Sequence, residues 1–165
     1  MLPSRLDQLR LLQEKKDLQA VLFLDLSNIR YLCGFTGSDG ALVAGGDRRF
    51  FLTDSRYATQ SRQQVEADEI REYRAKIEGI MECLRQIGAS RIGFEAEKVS
   101  WDLLNQLKEK GPAGAEWVPL KEDIHALRVL KDASEAEAME EAARLNEAAL
   151  REVLPRIRPG ITERE

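Results

Sequence analysis

The sequence predicts an α/β domain, a mixed β-sheet covered by helices on both faces. Three observations carry that expectation. The run Ala20 to Leu24 is apolar at every position, as a strand buried on both sides must be. Ala41–Ala44 and Arg48–Thr53 read as strands joined by Gly45-Gly46-Asp47, a short glycine-rich turn suited to a β-hairpin. Downstream, short strand-like segments alternate with stretches of helical periodicity.

Taken in order, Ser4 and Asp7 form a helix N-cap pair, and Leu2, Leu6, Leu9 and Leu12 share one face of the helix that follows. Glu14 to Asp17 is its solvated end. After the Ala20–Leu24 strand comes Asn28 to Ser38, N-I-R-Y-L-C-G-F-T-G-S, which reads as a loop. Gly34, Gly37 and Gly40 permit tight turning or positive φ there. Beyond the hairpin, Asp54 caps a helix carrying Arg56 and Tyr57, and Glu69–Tyr73 is a strand. Ile77, Ile80, Met81, Leu84 and Ile87 make a helical core stripe closed by Gly88. Arg91–Phe94 is a short strand. Ser100 caps a helix with Trp101, Leu104 and Leu107 inward, and Glu116–Val118 is an edge strand that Pro119 should stop. Near Lys131 the texture changes. Asp132 and Glu135 start an Ala- and Glu-rich helix with Met139, Ala143, Asn146, Leu150 and Val153 on one face, and Pro155 ends the pattern.

Composition narrows the function. The 165 residues are 43% hydrophobic and 33% charged, ordinary for a globular chain of one domain and part of another. A net charge of -4 offers no basic excess for nucleic acid or an anionic membrane surface. Charged residues interrupt the first fifteen positions, so no signal peptide is expected, and the cytoplasm is the expected compartment. Cys33, in the loop, and Cys83, on a helix, lack metal spacing and read as reduced thiols. The single His125 has no partner motif and suits a structural or surface role. The Gly34–Gly40 series lacks the Lys-Ser/Thr of a phosphate loop and precedes a strand where that loop needs a helix.

The segment N-I-R-Y-L-C-G-F-T-G-S resembles the N-terminal domain of the creatinase, prolidase and Xaa-Pro aminopeptidase family, with Cys33 where the family carries Thr or Ser. L-T-D-S-R-Y at Leu52–Tyr57, I-G-F-E at Ile92–Glu95, the run from Leu127 to Glu135 (L-R-x-x-K-D-x-x-E) and R-P-G-I-T-E at Arg158–Glu163 extend the resemblance in family order over nearly the whole chain. It implies an N-terminal domain over residues 1–130 and the start of a pita-bread catalytic domain over 131–165, the sequence being expected to stop soon after entering it. The implied activity is hydrolysis of Xaa-Pro bonds by a metallopeptidase, either an aminopeptidase P or a prolidase. Two divalent metal ions (Mn, Co or Zn) are implied for the catalytic domain and none for the residues in hand, so the 165 residues alone are expected to be inactive.

The implied partners are the catalytic domain itself, a second subunit in a dimer, and a proline-containing peptide substrate. Candidate substrate-mouth or interface residues are Asn28, Arg30, Tyr31, Phe35, Arg56 and Tyr57. Arg30 offers a cation for a peptide carboxylate, and Tyr31 and Phe35 offer flat rings for proline. The competing assignment has Tyr31 and Phe35 closing the core while Arg30 and Arg56 pair with nearby carboxylates. Creatinase-type C–N hydrolysis and a stand-alone binding or oligomerisation module also remain open at this point.

Overall fold

A computed structural model describes residues 4–162 and 164 of the chain. Leu2 of the expected N-terminal stripe, and Glu163 of the last motif, lie outside the described residues. The chain forms two compact units that divide after Arg128.

In the first unit, helix α1 (Arg5–Lys16) opens on a capping box between Ser4 and Asp7 and buries Leu9 and Leu12. The first strand, β1 (Ala20–Phe23), is buried throughout, as its uninterrupted apolar sequence requires. Helix α2 (Leu26–Cys33) follows directly, then the hairpin β2 (Ala41–Gly45) and β3 (Arg48–Thr53). A 3-10 turn at Ser55–Tyr57, capped by Asp54, leads into α3 (Ala58–Gln64). After these come β4 (Glu69–Glu72), α4 (Lys76–Ile87), β5 (Arg91–Glu95), α5 (Trp101–Lys110), β6 (Glu116–Leu120) and the short α6 (Glu122–Ala126).

The strands form one mixed sheet in the order β4-β3-β2-β1-β5-β6. β2 pairs antiparallel with both β1 and β3, whereas β1–β5, β5–β6 and β3–β4 are parallel. One edge of the sheet therefore gathers the carboxyl ends of β1, β3, β4, β5 and β6 with the start of β2. The alternation of side chains splits the core in two. Val21, Phe23, Leu42, Ala44 and Phe51 face α1, α2 and α6; Ala20, Leu22, Val43, Phe50, Leu52 and Ile92 face α4 and α5.

Four local expectations are corrected. Asn28 to Cys33 is helix, not loop: Asp25 caps it, Ile29, Leu32 and Cys33 bury its inner face, and Gly34 at φ 82 ends it in the left-handed region. Cys33 thus closes a helix rather than sitting in a loop. Trp101 is 75% exposed, because the inward face of α5 begins only with Leu103 and reaches full burial at Leu107. The last strand continues through Pro119 to Leu120. Glu116 N donates to Ser90 O and Ala96 N donates to Leu120 O, so alternate residues of β6 face β5 and the Pro119 nitrogen points off the sheet edge, where a missing N–H leaves no ladder bond unmade.

In the second unit, α7 (Ala133–Val153) begins on a capping box between Asp132 and Glu135 and passes into a 3-10 turn at Leu154–Arg156 that contains Pro155. Within that unit Met139, Leu145, Leu150, Val153 and Leu154 are exposed.

Glycine matters at Gly37 for room rather than for φ. A Cβ there would lie 2.3 Å from Phe35 Cζ and 2.8 Å from Tyr57 Cδ1. Gly37→Ala is therefore expected to destabilise the fold by about 1–3 kcal/mol, the usual cost of overpacking, as read from urea unfolding midpoints. A variant as stable as the parent would show that the two rings can retreat.

Candidate functional site

All six candidate residues stand on segments at the carboxyl edge of the sheet, five of them in two separate clusters. In open α/β sheets this edge is where ligands are usually met.

The first cluster is built on Glu95, the last residue of β5, which is 3% exposed. Its Oε2 accepts the backbone N–H groups of Leu24 and Asp25, each at 2.6 Å, and its Oε1 accepts Asn28 Nδ2 at 2.7 Å. Asn28 Oδ1 accepts Arg128 Nη1 at 3.1 Å. One helical turn on, the Tyr31 hydroxyl donates to Leu127 O at 2.7 Å, and Arg5 lies over the Tyr31 ring at 4.5 Å. Asp25 caps α2 through Ser27 N at 2.7 Å and pairs with Lys98 at 2.8 Å. Burial works to raise the Asp25 carboxyl, but the hydrogen bonds from Lys98, Ser27 and Asn28 outweigh it and the net direction is down. For Glu95 the balance reverses. Burial dominates the bonds from Asn28, Asp25 and Leu24 and lifts its carboxyl above the ordinary value.

The second cluster surrounds the segment Gly34–Gly40. Phe35, fully buried, packs at a tilt on Phe51 with ring centroids 4.6 Å apart and meets the Tyr57 ring edge-on at 5.6 Å. The Tyr57 and Ser38 hydroxyls are 2.5 Å apart, a contact that lowers the Tyr57 phenol. Arg56 forks onto the Asp54 carboxylate at 3.0 and 2.7 Å and holds it below the usual carboxylate range. Asp39 accepts from Tyr73 and Lys76, and its backbone carbonyl accepts Thr53 Oγ1 at 2.8 Å. Burial first, then the Asp39 carboxylate, raise the Tyr73 phenol. The segment is thereby fastened to β3, α3 and the β4–α4 connection.

The structure thus unites Asn28 with Tyr31, and Phe35 with Arg56 and Tyr57. Arg30 stands apart, exposed on α2 with no ion pair among the described residues. Asp25, Glu95, Asp39 and Arg128 belong to these clusters although sequence reasoning did not single them out. Glu95 and Arg128 carried a signal, since both lie in segments that carry the family resemblance, while Asp39 carried none. His125 Nε2 lies 3.0 Å from Glu97 on the surface. Burial pushes the thiols of Cys33 and Cys83 up to about 11, so both are protonated at neutral pH. Among the described residues no three His, Cys, Asp or Glu side chains converge so as to hold a metal ion. The divalent ions implied by the resemblance therefore fit no site among the described residues.

The model of the creatinase/prolidase N-terminal domain family matches residues 5–130. The chain belongs to that family. An uncharacterised peptidase, YqhT, of Bacillus subtilis (strain 168) is 34% identical over 160 residues, covering 96% of this chain and 45% of that protein. A solved Xaa-Pro dipeptidase from Bacillus anthracis superimposes with TM-score 0.89 at 28% identity, covering 96% of this chain and 44% of that one. The N-terminal domain of the cytoplasmic peptidase PepQ from Mycobacterium tuberculosis H37Rv gives TM-score 0.70 at 32% identity, over 77% of this chain and all of that domain. The chain spans less than half the length of the first two relatives. No helix among the described residues is long and apolar enough to cross a membrane.

The raised Glu95 carboxyl fixes the sign of a pH effect. A folded-state pKa above the unfolded value contributes stability that is fully present below the unfolded pKa and lost as pH rises through the folded one. The stability of the parent relative to Glu95→Gln, which cannot titrate, should therefore fall as pH rises from about 4 and level off once Glu95 is ionised, as measured by urea unfolding in parallel. A difference that grows over that range would mean that the three hydrogen bonds outweigh burial.

Proposed function

We propose that this chain is the N-terminal, non-catalytic domain of a metal-dependent Xaa-Pro peptidase, an aminopeptidase P or a prolidase, and that its carboxyl edge borders the substrate mouth. Family membership and the peptidase relatives support the activity class. The division of labour at the carboxyl edge is the observation that carries the role. Asn28, Tyr31 and Phe35 are spent on packing and on hydrogen bonds within the unit, which leaves exposed Arg30, without an ion pair among the described residues, and exposed Arg56, which would have to share its guanidinium with Asp54, as groups able to meet a peptide. A guanidinium is suited to a peptide carboxylate, which it grips in two parallel hydrogen bonds.

In this proposal residues 131–165 open the catalytic domain, and the rest of that domain covers Met139, Leu145, Leu150 and Val153, which stand exposed on α7. The two divalent ions and the residues that hold them belong to that remainder. The protein works in the cytoplasm, as the Mycobacterium tuberculosis relative is described to do, and as a dimer in which this domain leans over the neighbouring subunit's mouth.

The test is kinetic and uses a polypeptide that carries both domains. Arg30→Ala and Arg56→Ala should each lower kcat/KM for Xaa-Pro peptides by roughly 3–30-fold while the melting temperature stays near that of the parent. Phe35→Ala should instead lose about 3–5 kcal/mol of stability. Unchanged kcat/KM in both arginine variants would remove the carboxyl edge from the mouth.

A further inference from the structure

Asn28 stands between a group that can only accept hydrogen bonds and one that can only donate them. Glu95, as a carboxylate, is the acceptor, and Arg128 is the donor. A primary amide carries one oxygen and one NH2, so a single orientation satisfies both neighbours: nitrogen towards Glu95, oxygen towards Arg128. The opposite orientation would set oxygen against carboxylate and NH2 against guanidinium.

We infer that Glu95, Asn28 and Arg128 form a directional hydrogen-bond relay, in which a carboxylate on β5 sets the amide of α2 and the amide holds the guanidinium of the residue that closes the first unit. The direction is imposed from the buried end. Glu95 Oε2 is occupied by the N–H groups of Leu24 and Asp25, which leaves Oε1 for Asn28. Asp25 does not compete for the amide, because its Oδ1 caps Ser27 and its Oδ2 pairs with Lys98. Tyr31 adds a second fastening at the adjacent backbone carbonyl, that of Leu127. The segment from α6 to Arg128 is therefore tied to α2 by a backbone contact that does not depend on Glu95 and a side-chain contact that does. Glu95 and Asn28 act in the relay as positioning residues, and three segments far apart in the chain have to match in hydrogen-bond polarity, not only in shape.

Exchanging amide and carboxylate along the relay tests the claim. In Glu95→Gln the new amide must present its oxygen to Leu24 and Asp25, so its NH2 meets Asn28, which turns over and offers NH2 to Arg128. In Asn28→Asp two carboxylates face each other. In the double variant Gln at position 95 donates to Asp at position 28, whose second oxygen still accepts Arg128, and every bond is remade. Near neutral pH, each single variant should speed amide exchange in residues 121–128 by about tenfold or more, the worth of a hydrogen bond to a charged group, and should lower the melting temperature. The double variant should restore both. If Asn28→Asp does not fold, the double variant should fold where the single does not. A double variant that is unfolded, or whose losses equal the sum of the single losses, would overturn the relay.

Discussion

A buried carboxylate with no cation in contact among the described residues organises the carboxyl edge of this domain. Glu95 ends β5 and reaches across to the point where β1 gives way to α2, taking up N–H groups that neither strand nor helix can satisfy. The first turn of a helix always leaves such donors open, and here they are divided between two acids, Asp25 for Ser27 and Asn28, and Glu95 for Leu24 and Asp25. Each bond to the charged group contributes about 1.5–3 kcal/mol, set against several kcal/mol for drying an ion. The upward direction of the Glu95 carboxyl says that drying wins, so its value to the protein is in where it holds α2 rather than in net stability.

Placement matters because α2 carries three of the six candidate residues, Asn28, Arg30 and Tyr31. With its N-terminus pinned to β5 and its C-terminus closed by Gly34, the helix is fixed at both ends. The segment Gly34–Gly40 that follows is held as firmly, through Phe35 on Phe51, Ser38 on Tyr57, and Asp39 on Tyr73 and Lys76. The edge is consequently a preformed surface, and its exposed cations are presented by a scaffold with little freedom to adjust. Such preorganisation lowers the ordering cost of any contact the edge makes.

Much of this was legible in the sequence, and the failures have physical causes. The apolar run of β1, the hairpin glycines and the stripe of α4 each express a local rule that tertiary context does not oppose. The helix at Leu26–Cys33 was missed because its three central polar residues and the later glycines resemble a turn; the Asp25 cap with Ile29, Leu32 and Cys33 at helical spacing was the signal that could have found it. Pro119 was read as a stop because edge geometry, which decides whether a missing N–H matters, is not local. The candidate residues were legible as types but not as neighbours. Nothing in their spacing tells that Asn28 answers to Glu95 and Arg128, or that Arg30 has no ion pair among the described residues, since those facts depend on which strands lie side by side.

Glu95 clamps the junction of β1 and α2 to β5. Native-state hydrogen exchange at the amides of Leu24 and Asp25 tests it most directly. If Glu95 holds them, both should exchange only with global unfolding, with protection equal to that of Val21 and Leu22 in the centre of the sheet. Exchange through a local opening, at rates typical of frayed helix ends and independent of the stability of the whole domain, would contradict it.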